Sequence, residues 1–227
     1  MSKQHSFSDR PALDTALAAH IAERLAADIA SRGKASLAVS GGSTPQGMFA
    51  ALSRQHLPWD QVWITLVDER WVDADSPDSN EKLVRENLLQ NAAAEAHFIG
   101  LKGNAADAAA GLQEVTARLD ELPLPLSCAV LGMGGDGHTA SWFPQASNLQ
   151  QLIDPRGEAL LGCCDPVTAP HQRITFTLPA ILAAGEIILH ITGEEKRAIL
   201  AEASEKRYPI AAITEQQSNP ASIWWAP

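Results

Sequence analysis

Cys128-Ala129-Val130-Leu131-Gly132-Met133-Gly134-Gly135-Asp136-Gly137-His138 sets the pattern of the chain: a short apolar run of strand type passes directly into a glycine-rich polar loop. The same arrangement recurs at Ser36–Val39, Val62–Val67 and Ile187–Ile191, each closely followed by polar or glycine-rich residues. Helical stretches fill the gaps, from Pro45 to about Leu52, Asn80 to Leu89, Ala105 to Leu119 and Glu194 to about Ala203. Ahead of them, Leu13, Leu17, Ile21, Leu25 and Ile29 recur at four-residue spacing, which predicts an amphipathic helix over 11–31 that Gly33 ends. Asp78 and Glu81 have the spacing of a capping box for the helix that starts near Asn80. Arg173–Thr177 and Ser222–Trp225 read as further strands, and Pro123–Pro125 as a turn. Strands alternating with helices predict an α/β fold: a doubly wound, mostly parallel sheet with helices on both faces, forming a single domain over 1–227. In such a sheet ligands bind beyond the carboxyl ends of the strands, which is where the polar motifs fall.

Composition narrows the function classes. With 45% hydrophobic and 19% charged residues the chain suits a packed globular core. No apolar run approaches the roughly 18 residues of a membrane span, and Met1–Arg10 lacks the apolar segment of a signal peptide. The formal net charge of −10 argues against a nucleic-acid partner, which needs a basic face. It leaves room for an anionic small molecule, because surface charges are screened beyond about 8 Å and a few nearby cations set the local field. Cys128, Cys163 and Cys164 form neither a disulfide framework nor a metal knuckle, so a cytoplasmic location and a metal-free site are expected. The sequence does not choose between a monomer and a small homo-oligomer.

Four loops carry chemistry. In Ser40-Gly41-Gly42-Ser43-Thr44-Pro45, glycines allow close backbone approach, Ser43 or Thr44 can cap the next helix, and Pro45 suits its first position. Free N–H groups and the helix dipole there favour a phosphate, although an ordinary strand-to-helix turn has the same look. A nucleophile elbow centred on Ser40 is the rival, but Ala38 stands where that motif has its first glycine and the helix starts too late. In Asp68-Glu69-Arg70-Trp71, Asp68 can orient a sugar hydroxyl or act as a base, and Arg70 can pair with it or with phosphate. The alternative is a solvated charge cluster ending a strand, with Ser79-Asn80 merely starting a helix.

The loop at 132–141 formally satisfies G-x-G-x-x-G through Gly132, Gly134 and Gly137, which raises a dinucleotide site. It continues, however, into two titratable side chains that a phosphate cradle does not need and proton transfer does. His138 is the candidate general base, and Asp136 the group that fixes its tautomer. Gly134 and Gly135 offer backbone N–H groups to a bound substrate. Among the other histidines, His190 in an apolar strand reads as packed. Arg173 and Lys196 are isolated cations able to bind phosphate, although Arg173, opening its strand, lies off the expected rim unless the preceding segment folds back.

Taken together, these segments resemble the 6-phosphogluconolactonase family, related to glucosamine-6-phosphate deaminase and ribose-5-phosphate isomerase. The resemblance runs from about residue 36 to the end. It rests on SGGSTP at 40–45, DERW at 68–71, SN at 79–80, GMGGDGHTASWFP at 132–144, RIT at 173–175, TGEEK at 192–196 and the closing WWAP. Trp142 departs from a frequent leucine. The resemblance implies the lactonase/deaminase type of fold, hydrolysis of a phosphorylated sugar lactone in the pentose phosphate pathway, and no metal or nucleotide cofactor. It also implies phosphate binding by Ser43, Thr44, Arg173 and Lys196, His138 as catalytic residue beside Asp136, and Asp68 and Arg70 lining the pocket. The deaminases carry an acid in an N-E-P stretch after their histidine. Here Thr139-Ala140-Ser141 follows, which favours a lactonase. Another sugar-phosphate enzyme and a non-catalytic sugar-phosphate sensor are the remaining rivals.

Overall fold

The computed structural model describes residues 3–227. Ten strands form two sheets: β1 (Lys3–Ser6), β2 (Ala35–Val39), β3 (Val62–Leu66), β4 (Asp68–Arg70), β5 (His97–Ile99), β6 (Cys128–Leu131), β7 (Leu161–Cys164), β8 (Arg173–Phe176), β9 (Ile187–Thr192) and β10 (Ser222–Ala226). The helices are α1 (Arg10–Arg32), α2 (Gln46–Leu52), α3 (Asn80–Asn87), α4 (Ala108–Arg118), α5 (Leu149–Leu152), α6 (Leu178–Leu182), α7 (Glu194–Ala201) and α8 (Ala211–Thr214).

The main sheet has the order β1-β10-β9-β6-β2-β3-β5, and every neighbouring pair is parallel. From β2 the chain adds β3 and β5 on one side, then crosses to add β6, β9 and β10 on the other. The direction of winding therefore reverses between β2 and β6, and a crevice opens beyond their carboxyl ends. The loops after these two strands are the SGGSTP and GMGGDGH segments.

Helix α1 forms where the four-residue spacing predicts it. Asp9 accepts the amide of Ala12 at 2.9 Å, Pro11 sits in the first turn, and Gly33, at φ +73°, closes the end by donating to Ile29. Its buried stripe of Leu13, Leu17, Ile21 and Leu25 packs on β2, β6 and β10.

The small antiparallel sheet, β4-β8-β7, is a correction to the sequence reading, which continued one strand through Val67 and gave Arg173–Thr177 no sheet of its own. Val67 is the joint: its amide donates to Val39 in the main sheet and its carbonyl accepts from Phe176 in the small one. Three other expectations change. Neither Ser43 nor Thr44 caps α2, whose cap position is Pro45. The cap of α3 is Ser79, which accepts from Lys82, so Asp78 and Glu81 form no capping box. Helix α4 starts three residues later than expected, because Asp107 takes the amide of Ala110 as its cap.

Candidate active site

A cavity of about 460 Å³ occupies the crevice beyond β2, β6 and β9. Gly42, Ser43, Thr44, Asp68, Arg70, Gly134, His138, Arg173 and Lys196 all line it, while Gly135 and Asp136 lie beside this lining in the histidine loop.

Ser40 joins the two central strands. Its hydroxyl donates to the Val130 carbonyl at 2.9 Å and accepts the Gly132 amide at 2.9 Å. An oxygen engaged on both sides in the sheet is not a nucleophile, and the elbow reading falls. The Gly132 loop also opens no helix, the next being α5 from Leu149, so the dinucleotide fingerprint lacks the helix N-terminus it needs. Ser43 and Thr44, by contrast, bond to no other described residue and keep their hydroxyls for a ligand.

The histidine loop is built to hold one ring. Asp136 Oδ1 accepts from His138 Nδ1 at 2.5 Å and from the His138 amide at 3.2 Å, anchoring side chain and backbone together. With Nδ1 carrying the hydrogen toward the carboxylate, Nε2 keeps its lone pair, which is the form a general base requires. Burial works to raise the Asp136 carboxyl, but the hydrogen bonds and charge of His138 outweigh it and hold the group below its ordinary range. The ring stacks on Phe143 at 4.3 Å between centroids and leaves 29% of the side chain open to solvent. A Cβ on Gly134 would stand 2.2 Å from His138 Nδ1, so only glycine leaves room for the ring. Gly137, at φ +76°, makes the turn, and its carbonyl accepts from Ile210.

Within this loop the Gly134 amide donates to His138 O, the Gly137 amide to Gly134 O, and the Asp136 amide faces its own carboxylate. The expectation that Gly134 and Gly135 offer N–H groups to a substrate therefore narrows to Gly135. A Cβ there would lie 3.7 Å from Lys196 Nζ, which places this cation against the histidine loop.

The opposite wall comes from the small sheet. Asp68 and Glu69 are not a solvated cluster: both are buried. Asp68 Oδ2 accepts from Ser141 Oγ at 2.6 Å, and its backbone carbonyl from Asn80 Nδ2 at 2.8 Å. Glu69 is structural. Its two oxygens accept from the amides of Arg70, Asn80 and Glu81 and from Ser79 Oγ, at 2.7–3.1 Å. Arg70 pairs in register with Arg173 across the antiparallel ladder, which brings Arg173 to the rim despite its place at a strand's start. Arg70 Nη1 donates to Asp78 O at 2.5 Å, and its buried Nε has no partner among the described residues. Arg173 donates to Pro170 O at 3.0 Å and lies 5.6 Å from the Phe143 ring centre. Burial lowers the Arg173 pKa, an effect that the charge of Asp68 opposes.

Sequence reasoning missed five residues here. Ser141 and Phe143 lay inside the quoted motif without an assigned role, and Asn80 was read only as a helix start. His171, which meets Asp78 Oδ2 at 3.1 Å across the cavity mouth, carried no signal. His190 is buried as expected, yet it lines the cavity.

Known proteins share this architecture. A family model described as glucosamine-6-phosphate isomerases/6-phosphogluconolactonase matches residues 8–225. A 6-phosphogluconolactonase of Mesorhizobium japonicum is 48% identical over 98% of this chain and 94% of its own length. One of Rhizobium meliloti is 44% identical over 100% and 99%. The crystal structure of a 6-phosphogluconolactonase from Shewanella baltica superposes with a TM-score of 0.97 at 43% identity, covering 100% of this chain and 98% of that one.

Proposed function

The chain belongs to the glucosamine-6-phosphate isomerase/6-phosphogluconolactonase family, and from that premise we propose that His138 is the general base with which it hydrolyses 6-phospho-D-glucono-1,5-lactone to 6-phosphogluconate. The observation that carries this reading is the 2.5 Å contact from His138 Nδ1 to Asp136, in a ring that lines the cavity.

The phosphate end of the substrate is held by Ser43, Thr44, Arg173 and Lys196, and Asp68 and Arg70 line the sugar. A water gives its proton to His138 Nε2 while its oxygen bonds to the lactone carbonyl carbon. The imidazolium so formed is stabilised by Asp136, and the Gly135 amide is the loop donor for the oxyanion. Collapse breaks the bond between that carbon and the ring oxygen, which takes the proton back from His138. The products are a free hydroxyl and a carboxylic acid that ionises at neutral pH. No step calls for a metal or nucleotide. Among the described residues no helix is long and apolar enough to cross a membrane. The free cysteines Cys128, Cys163 and Cys164 suit the reducing cytoplasm.

Lactone hydrolysis followed by acid release, with the spontaneous rate subtracted, tests the assignment. His138→Ala should lower kcat by about 10²–10⁴-fold, the usual contribution of a positioned base. Wild-type turnover in that variant would remove His138 from the mechanism.

A further inference from the structure

His190 is the one residue of β9 that its surroundings do not explain. Its neighbours Ile187, Ile188, Leu189 and Ile191 are apolar and buried, and a leucine would continue the pattern. The imidazole is instead 2% exposed, and neither ring nitrogen has a hydrogen-bond partner among the described residues. Buried polar atoms in folded proteins are nearly always bonded, so an orphaned pair calls for a ligand or a reason. The nearest carboxylate oxygen, Asp14 Oδ1, stands 3.8 Å from Nε2, outside hydrogen-bond range.

Asp14 also locates the ring. A Cβ on Gly47 would lie 2.0 Å from Asp14 Oδ2, and the Met48 amide bonds to the same carboxylate. His190, 3.8 Å from that carboxylate, therefore lies near the first turn of α2, and it lines the same cavity as Ser43, Thr44, Pro45 and Lys196. Burial drives its pKa down to about 4, so the ring is neutral and holds one donor and one acceptor. A neutral donor at this depth adds a hydrogen bond to an anion without burying another charge.

We propose that His190 is a substrate-binding residue forming the floor of the phosphate subsite, where one ring N–H donates to a phosphate oxygen of the lactone. The proposal rests on the function given above, since it takes the phosphate to lie at the Ser43–Thr44 loop. It extends that set of phosphate ligands to a strand which the sequence presents as plain core.

The test compares wild type, His190→Leu and His190→Gln on 6-phosphogluconolactone and on unphosphorylated glucono-1,5-lactone, with inorganic phosphate as inhibitor. The leucine variant should raise KM for the phosphorylated lactone and the inhibition constant of phosphate by about tenfold, the loss expected for one hydrogen bond to an anion. Its kcat should stay within about twofold, because the bond is made equally in ground and transition states. Kinetics on the unphosphorylated lactone should not change, and glutamine, which retains an N–H donor, should recover part of the loss. Unchanged phosphate inhibition, or an equal loss on both lactones, would overturn the proposal and leave His190 a packing residue. For variants that fold poorly, phosphate titration of wild type followed by the ring resonances of His190 gives a second measurement. A saturable shift supports the contact, and a resonance that stays still while phosphate binds refutes it. Should wild type fail to hydrolyse the phosphorylated lactone above the spontaneous rate, the functional reading falls, whereas the titration still decides His190.

Discussion

A histidine can serve as a base only when something holds it, and the carboxylate of Asp136 holds His138. Asp136 takes both the ring hydrogen and the backbone amide of His138, so its removal frees the tautomer and the ring orientation together. Asp136→Asn should therefore lower kcat by about 10²-fold or more while KM changes little, measured by steady-state kinetics. The same pair makes a pH prediction. The Asp136 carboxyl is depressed in the folded protein, so its stabilising contribution is complete above the unfolded value near about 3.9. That contribution is lost as pH falls through the folded value. Urea midpoints of wild type and Asp136→Asn should differ at neutral pH and converge below about pH 4. A gap that persisted in acid would assign the stability difference to something other than this ionisation. His138 and Asp136 were both legible in the sequence, since glycines crowded around two titratable residues have few structural uses. His190 was not: a histidine within an apolar run looks the same whether it fills space or faces a ligand.

At the scale of elements, legibility followed the amount of apolar surface. Helix α1 was clear because Leu13, Leu17, Ile21 and Leu25 repeat over several turns, and the four β-like runs were clear because each is buried on both faces. Strand β1, with the sequence Lys-Gln-His-Ser, and the three-residue β5 are edge strands with little apolar content, and only their pairing with β10 and β3 reveals them. The cap of α3, though not its start at Asn80, was misjudged by one position for a different reason. Its first amides are met by Glu69, a residue eleven positions before Asn80 and on another element, which local spacing cannot show. Glu69 is 1% exposed and accepts four hydrogen bonds on two oxygens. Glutamine has nearly the same shape but turns one acceptor into a donor facing two others. Glu69→Gln should consequently destabilise by about 1–3 kcal/mol, lowering Tm by roughly 2–4 °C for each kcal/mol. Calorimetry showing no change would mean that α3 does not depend on this carboxylate.

For the molecule as a whole, the parallel sheet and its ligand-bearing end were legible because every strand run led into a polar loop. The small antiparallel sheet was hidden because β4 and β8 are three and four residues long and β7 contains a glycine and two cysteines. Its discovery alters how the cavity is understood. His138 lies on a loop and Lys196 on helix α7, each following a strand of the main sheet, whereas Arg70 and Arg173 stand on the small one, and Val67 and Phe176 bond the two together. Under the proposed function the substrate is gripped like a workpiece between the jaws of a caliper, with its scale fixed at Val67. The Val67 side chain is fully buried, and Val67→Ala, which keeps the backbone bonds but leaves a void at the seam, should let the jaws drift, raising KM for the phosphorylated lactone several-fold while the His138–Asp136 chemistry stays intact. It should also relax discrimination against phosphorylated lactones one carbon longer or shorter, a loss of selectivity that competition assays between such substrates would register.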